Sequence, residues 1–172
     1  MDARRITTKR LELRPLAEAD RTVMAGILND LAVSRWLARV PHPFRPEDCK
    51  ITGADGRETW PERMAICHNG RFVGVVSIAP HLGYFLAPDA WGQGLMTEAV
   101  AARLADHFGR HPTCDRVVSG HFEGNAASAR ILARMGFRET GRGQRLCEAL
   151  GRDLPHVDMT LTRADREARS WA

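Results

Sequence analysis

The sequence predicts a single domain of the mixed α/β class (α+β). Residues 82–108 join a strand-like apolar run to an amphipathic helix through a turn that contains two glycines. The pair Asn69-Gly70 between two apolar runs predicts a β-hairpin, and therefore antiparallel pairing. The chain has 172 residues, of which 44% are hydrophobic and 27% charged, so it has the length and composition of one globular domain.

Apolar periodicity and turn residues predict the order of the other elements. The N-terminal half is predicted to hold a strand at 6–13, helices at 16–28 and 31–40, a loop at 41–61, and strands at 63–67 and 72–78. The C-terminal half is predicted to hold strands at 83–87, 116–122, 138–147 and 155–162, and helices that begin at Leu95 and after Asn125. Residues 164–172 are predicted to form a polar tail.

The glycine turn is predicted to bind an anion. The first backbone N–H groups of the helix that begins at Leu95 lack partners within the helix and point at the turn. Gly92 and Gly94 allow close approach, and Thr97 can add a hydroxyl donor. The phosphate loop of nucleotidases is excluded because no Gly-Lys-Ser/Thr follows Gly94. The dinucleotide fingerprint is excluded because Thr97 replaces its third glycine.

The run YFLAPDAWGQGLMTEA resembles the pyrophosphate loop of the GNAT acetyltransferases, in the branch that contains the ribosomal-protein N-terminal acetyltransferases. The general family pattern is Gln/Arg-x-x-Gly-x-Gly/Ala, from which Trp91 and Met96 depart, but W-G-x-G-x-x-T-E-A is common in this branch. The run NAASARILARMGF, from Asn125 to Phe137, resembles the family segment N-x-x-S-x-x-L-x-x-K/R-x-GF. The start of the chain resembles the family opening T-x-R-L-x-L-R-P.

The resemblance implies a GNAT fold, with one mixed, mostly antiparallel twisted sheet of about six to seven strands that is splayed at its centre and flanked by helices. It implies that residues 1–172 form one acyl-CoA N-acyltransferase domain. The implied activity is transfer of an acetyl group from acetyl-CoA (coenzyme A) to a primary amine, on a peptide N-terminus or a small molecule.

The resemblance also implies site residues. Ser128 would be catalytic and would protonate the leaving thiolate, and a backbone N–H near Leu86 would stabilise the oxyanion. The alternative for Ser128 is a hydroxyl bonded to its own helix, and Arg134 could equally be a solvated surface residue. The residues implied to bind the cofactor are Phe85, Leu86, Ala87, Trp91, Gly92, Gln93, Gly94, Leu95, Met96, Thr97, Asn125, Ser128 and Arg134.

The sequence does not identify a general base. His81, His121 and Glu123 are candidates by position, although a single histidine or glutamate in a loop is more often solvated. The four cysteines are scattered without a C-x-x-C pair, so neither a metal site nor a disulfide framework is predicted.

Charge and hydropathy limit the partners. The net charge of +4 suits an acidic ligand such as coenzyme A. The sequence has no basic cluster interleaved with aromatic residues, so nucleic acid is not expected as a partner. No apolar run predicts a membrane span and no leader is recognised, so a cytoplasmic monomer or homodimer is expected. Two other functions stay open: a non-catalytic acyl-CoA sensor, and a basic nucleic-acid-binding module.

Overall fold

The computed structural model describes residues 5–49, 51, 63–78 and 81–169. Its strands are β1 (Ile6–Thr7), β2 (Leu11–Pro15), β3 (Arg63–His68), β4 (Arg71–Ile78), β5 (Leu82–Leu86), β6 (Arg116–Phe122), β7 (Arg138–Cys147) and β8 (Arg152–Thr162). Its helices are α1 (Arg21–Leu28), α2 (Leu31–Ser34), α3 (Leu95–Arg110), α4 (Ala126–Met135) and α5 (Arg163–Glu167). None of the helices in these ranges has both the length and the apolar character needed to span a membrane.

The strands form two antiparallel sheets. Strands β1 to β5 pair in sequence order, and the second sheet has the order β6-β8-β7. The predicted fold class, a mostly antiparallel arrangement flanked by helices, is confirmed. The expectation of one sheet with about six to seven strands differs from the structure. The described residues form eight strands, and the sheet is divided between β5 and β6.

Apolar side chains cover both faces of the larger sheet and so build three layers. On one face, Leu13, Ile66 and Val76 pack with α3 and α4. On the other face, Ala65 and Val75 pack with α1, α2 and the segment that follows them. The gap between β5 and β6 therefore lies between two helical layers.

Three predicted elements of the N-terminal half are wrong in extent. The predicted strand at 6–13 is a hairpin, because Ile6 pairs with Leu13 and the backbone N–H of Thr8 donates to Leu11 O at 2.9 Å. The predicted helix at 31–40 ends at Ser34. The predicted helix at 16–28 is regular only from Arg21, after a short 3₁₀ turn.

The predicted turn at Asn69-Gly70 and the predicted start of a helix after Asn125 are confirmed. Asn69 and Gly70 both have positive φ, 51° and 74°, and connect β3 to β4. The side chain of Asn125 caps α4 by accepting from Ser128 N–H at 3.1 Å, and Gly136 ends that helix with φ 93°. The described part of the predicted loop at 41–61 contains a 3₁₀ turn at Pro46–Asp48, while residues 50 and 52–62 lie outside the described residues.

Candidate functional site

The gap between the two sheets exposes backbone groups of β5. The N–H of Ala87 donates to Val73 O at 2.8 Å, which fixes the alternation of the β4–β5 ladder. By that alternation Leu82, Tyr84 and Leu86 direct their backbone N–H and C=O groups away from β4, towards β6. Leu82 O is already taken by a side chain of β6, Ser119 Oγ, at 2.9 Å. The remaining groups lie where the strands separate.

This register separates Phe85, Leu86 and Ala87, three consecutive residues that the resemblance implies bind the cofactor. Leu86 presents its N–H to the gap, as the predicted oxyanion donor requires. Ala87 uses its N–H within the sheet, and Phe85 pairs with Val75 in the same ladder. Tyr84, which the sequence did not single out for this role, has the same backbone orientation as Leu86. The predicted contacts of Phe85 and Ala87 therefore require groups other than their paired backbone atoms.

The glycine turn lies directly after β5 and opens α3. Gly92 and Gly94 have left-handed backbones, with φ 75° and 73°. Gly94 occupies the N-cap position of α3, and having no side chain it cannot accept from the N–H groups of the first helical turn. These N–H groups, from Leu95 to Thr97, are thus held by the fold as donors next to the gap.

The side chains of the turn are partly used within the protein. Trp91 donates its indole N–H to Leu86 O at 2.9 Å, so it fixes the last carbonyl of β5 while 47% of the residue stays exposed. Gln93 donates its side-chain amide to Asp89 O at 3.1 Å. Trp91 can therefore contact a ligand with its ring, whereas the Gln93 side chain is committed to the turn.

A clamp formed by Thr8, Arg10 and Glu98 anchors the turn to the N-terminal hairpin. Arg10 donates through Nη1 to Gln93 O at 2.8 Å and through Nε to Glu98 Oε2 at 2.7 Å. Thr8 Oγ1 donates to Glu98 Oε1 at 2.6 Å. Partial burial opposes ionisation of Glu98, but these hydrogen bonds prevail and lower its pKa. Arg10 thus balances the negative charge of Glu98 in the first turn of α3, where an unbalanced charge would repel an anion.

Ser128 and Tyr84 meet across the layer between α4 and β5. Their hydroxyl oxygens are 2.9 Å apart, and Ser128 is 9% exposed. Burial raises the pKa of Tyr84 to about 12, against a smaller opposite effect of the hydrogen bond to Ser128. The predicted acid therefore has a phenol partner, which sequence reasoning missed because nothing local relates the two positions.

A large cleft of about 1720 Å³ contains the gap, the turn and most of the predicted site. The predicted site residues that line it are Phe85, Leu86, Trp91, Gly92, Gly94, Leu95, Met96, Thr97, Asn125, Ser128 and Arg134. Ala87 and Gln93 are not among the lining residues. Arg134 is joined by Arg130, one helical turn away and also exposed, so α4 presents two positive charges to the cleft. The structure thus brings most of the predicted residues together.

The three residues considered as candidate bases differ in their contacts and exposure. Glu123 is paired with Arg142 Nη1 at 2.9 Å, and His121 Nδ1 lies 3.0 Å from Phe122 O. His81 is exposed at the cleft wall. No group of three or more metal-ligating side chains occurs in the part of the chain that the structure describes.

His156 and Asp158 form a pair that the sequence analysis did not select. His156 lines the cleft at 8% exposure, and its Nδ1 lies 3.1 Å from Asp158 Oδ1. The alternation of Val157, Met159 and Leu161 in β8 already placed both residues on the opposite face of that strand. The signal was present, but nothing in the sequence showed that this face borders the cleft.

Comparison with known proteins gives the fold independent support. A GNAT-family acetyltransferase from Bacillus anthracis is 17% identical with a TM-score of 0.72, covering 92% of this chain and 98% of that one. RimJ from Mycobacterium smegmatis, in complex with CoA-disulfide, is 23% identical with a TM-score of 0.72 over 90% and 83%. The ribosomal-protein-S5-alanine acetyltransferase from Vibrio fischeri is 19% identical with a TM-score of 0.71 over 94% and 98%.

Among curated protein sequences, none matches this chain significantly. Residues 10–138 match the family described as "Acetyltransferase (GNAT) domain". That match contains both glycine-turn and α4 motifs and spans more than half of the chain. The chain therefore belongs to the GNAT acetyltransferase family.

Proposed function

We propose that this protein transfers an acetyl group from acetyl-CoA to a primary amine by direct attack of the neutral amine on the thioester. The observation that carries the proposal is the gap between β5 and β6, which ends at the uncapped first turn of α3. An extended amide chain and a pyrophosphate are the two features of coenzyme A that fit these two neighbouring surfaces.

The residues present fit coenzyme A in charge and shape. The backbone N–H groups after Gly94 would hold the pyrophosphate, and Arg130 or Arg134 would meet a further phosphate. Tyr84 would offer backbone groups to the pantetheine amides, and the N–H of Leu86 would stay available for the thioester carbonyl. Asn125 retains its side-chain amide N–H₂ as a donor, since its Oδ1 is used for the helix cap. RimJ from M. smegmatis, a structural neighbour, is solved with a coenzyme A derivative.

The chemistry requires two contributions from the protein, stabilisation of the oxyanion and a proton for the leaving sulfur. The amine nitrogen forms a bond to the carbonyl carbon, and the bond from that carbon to sulfur breaks. The N–H of Leu86 would stabilise the negative charge that develops on the carbonyl oxygen. Ser128, bonded to Tyr84 at 2.9 Å, would give a proton to the sulfur, which balances the proton that the nitrogen loses.

The test of this function is a screen of amine acceptors. Peptides with free N-termini and small primary amines are incubated with acetyl-CoA, and thiol release is measured together with the mass of the acetylated product. Amine-dependent release with an acetylated product supports the proposal. Binding of coenzyme A without transfer to any amine of either class would contradict it.

The Arg10 clamp gives a prediction for cofactor affinity. Arg10→Ala removes the hydrogen bond to Gln93 O and leaves the negative charge of Glu98, in the first turn of α3, without its guanidinium partner. We expect Kd for coenzyme A, measured by calorimetry, to rise about 10-fold, which corresponds to about 1.4 kcal/mol. Arg5→Ala, which removes an exposed ion pair with Glu12, is the control and should leave Kd unchanged. Equal affinities for the Arg10→Ala variant and the wild-type protein would contradict the role of the clamp.

A further inference from the structure

We propose that His156 is the general base that takes a proton from the acceptor ammonium group, and that Asp158 positions its imidazole ring. The inference rests on the proposed acetyl transfer and assigns the one role that the sequence left open. Three observations support it: the His156 ring lines the cleft, its Nδ1 is hydrogen-bonded to Asp158, and it lies over Gly120 of β6.

The first observation is the orientation of the imidazole. His156 Nδ1 lies 3.1 Å from Asp158 Oδ1, on the same face of β8. In the neutral ring Nδ1 carries the proton and donates a hydrogen bond to the Asp158 carboxylate, so the free lone pair is on Nε2. Phe122 packs its ring against the imidazole at right angles, with centroids 5.5 Å apart. The tautomer and the plane of the ring are thereby both fixed.

The second observation is the absence of a side chain below the ring. A Cβ added at Gly120 would lie 2.9 Å from His156 Nε2 and 2.6 Å from Val157 O, closer than real Cβ atoms approach. Gly120 belongs to β6, the strand that borders the gap, and β8 is its partner on the other side. The glycine thus lets an imidazole rooted in β8 extend across β6 towards the gap where the thioester is proposed to lie.

The third observation is the balance of charge around the ring. Burial lowers the pKa of His156, Arg145 and His121 lower it further, and Asp158 acts against them. Arg145 Nη2 also lies 3.2 Å from Asp158 Oδ1, so the carboxylate is shared between a cation and the ring. The imidazole is therefore neutral near pH 7 and available as a proton acceptor.

With His156 as the base, the protons of the reaction balance. The ammonium group loses one proton to His156 Nε2, which gives the neutral amine and an imidazolium, and the open cleft returns that proton to solvent. The neutral amine then forms the C–N bond as the C–S bond breaks. Ser128 gives its proton to the sulfur, and the second proton that the nitrogen loses restores the Ser128 hydroxyl through solvent in the open cleft. One proton is released per amide formed, as the overall reaction from an ammonium ion requires.

The experiment is a pH profile of kcat/KM for His156→Gln with a peptide acceptor whose free α-amine has a pKa near 8. Near pH 7 we expect a loss of about 10-fold, because only about a tenth of an amine with a pKa near 8 is neutral there and the base that would deprotonate the rest is missing. At about pH 10 the amine is already neutral, so the variant should approach the wild-type rate within a few-fold. A purely structural role for His156 would give the same loss at both pH values and would overturn the proposal.

Two further variants complete the test. Asp158→Asn should reduce kcat/KM near pH 7 and leave it little changed at about pH 10, because an amide no longer fixes the Nδ1–H tautomer. His68→Gln, at the hairpin end of β3, is the control and should keep the wild-type profile. The melting-temperature rise caused by coenzyme A should persist in all three variants and so reports intact folding. Wild-type rates in His156→Gln overturn this inference alone, whereas no transfer by the wild-type protein overturns the proposed function as well.

Discussion

Replacement of Gly94 by leucine is expected to abolish the rise in melting temperature that acetyl-CoA causes in the wild-type protein. At a ligand concentration of 100 Kd the wild-type protein gains about 2.7 kcal/mol, or about 5 to 10 °C for a chain of this size. A leucine side chain at the N-cap of α3 would project from the turn whose N–H groups we propose to bind the pyrophosphate. Differential scanning calorimetry with and without acetyl-CoA measures the effect.

Gly70 offers a matched control for the backbone strain of this substitution. Its φ is 74°, nearly equal to the 73° of Gly94, and it lies in the β3–β4 hairpin. Both leucine variants should therefore lose about 1 to 2 kcal/mol of intrinsic stability from the left-handed conformation. Gly70→Leu should still respond fully to acetyl-CoA. An unchanged response in Gly94→Leu would remove the phosphate-binding role from the turn.

Substitution of Ser128 by alanine is expected to reduce kcat about 10²- to 10³-fold while the acetyl-CoA response of the melting temperature is kept. The hydroxyl points to Tyr84 rather than serving only its own helix, so its loss removes the proposed proton donor to the sulfur. The measurement is thiol release under saturating amine, with the calorimetric response as the test of cofactor binding.

Ser34 is the matched control for this second substitution. It is a fully buried serine whose Oγ donates to Asp30 O at 3.2 Å, within its own helical turn. Ser34→Ala should keep kcat, because it removes a hydroxyl that is hydrogen-bonded only within its own helical turn. A purely structural Ser128 would have a hydroxyl of the same kind. Equal kcat values for Ser128→Ala and the wild-type protein would exclude the acid role. A protein that binds acetyl-CoA but shows no amine-dependent turnover would favour the sensor alternative.

The elements of the domain were predictable wherever the signals were local. The Asn69-Gly70 hairpin, the glycine turn before α3 and the caps of α4 depend on neighbouring residues, and the structure shows each of them. The N-terminal hairpin was not predicted, because its alternation reads as one strand. The turn at Thr8 is stabilised by Glu98, which is 90 positions away in sequence.

The same distinction applies to the candidate site. The glycine turn and the α4 motif carry their own sequence patterns, so most of the residues proposed to hold the cofactor could be named from the sequence. The meeting of Tyr84 with Ser128 and of His156 with Gly120 depends on strand register and on how two sheets divide. A period of two shows which face of β8 is polar, but it cannot show what lies opposite that face.

The Arg10 clamp also relates the cofactor site to the order of folding. Arg10 and Glu98 are separated by 88 positions, so their ion pair forms only when the N-terminal segment docks on a helix made much later in synthesis. Contacts of such long sequence separation close after local turns and helices have formed. The proposed phosphate-binding turn is therefore completed only after α3 has been synthesised and the N-terminal hairpin has docked on it.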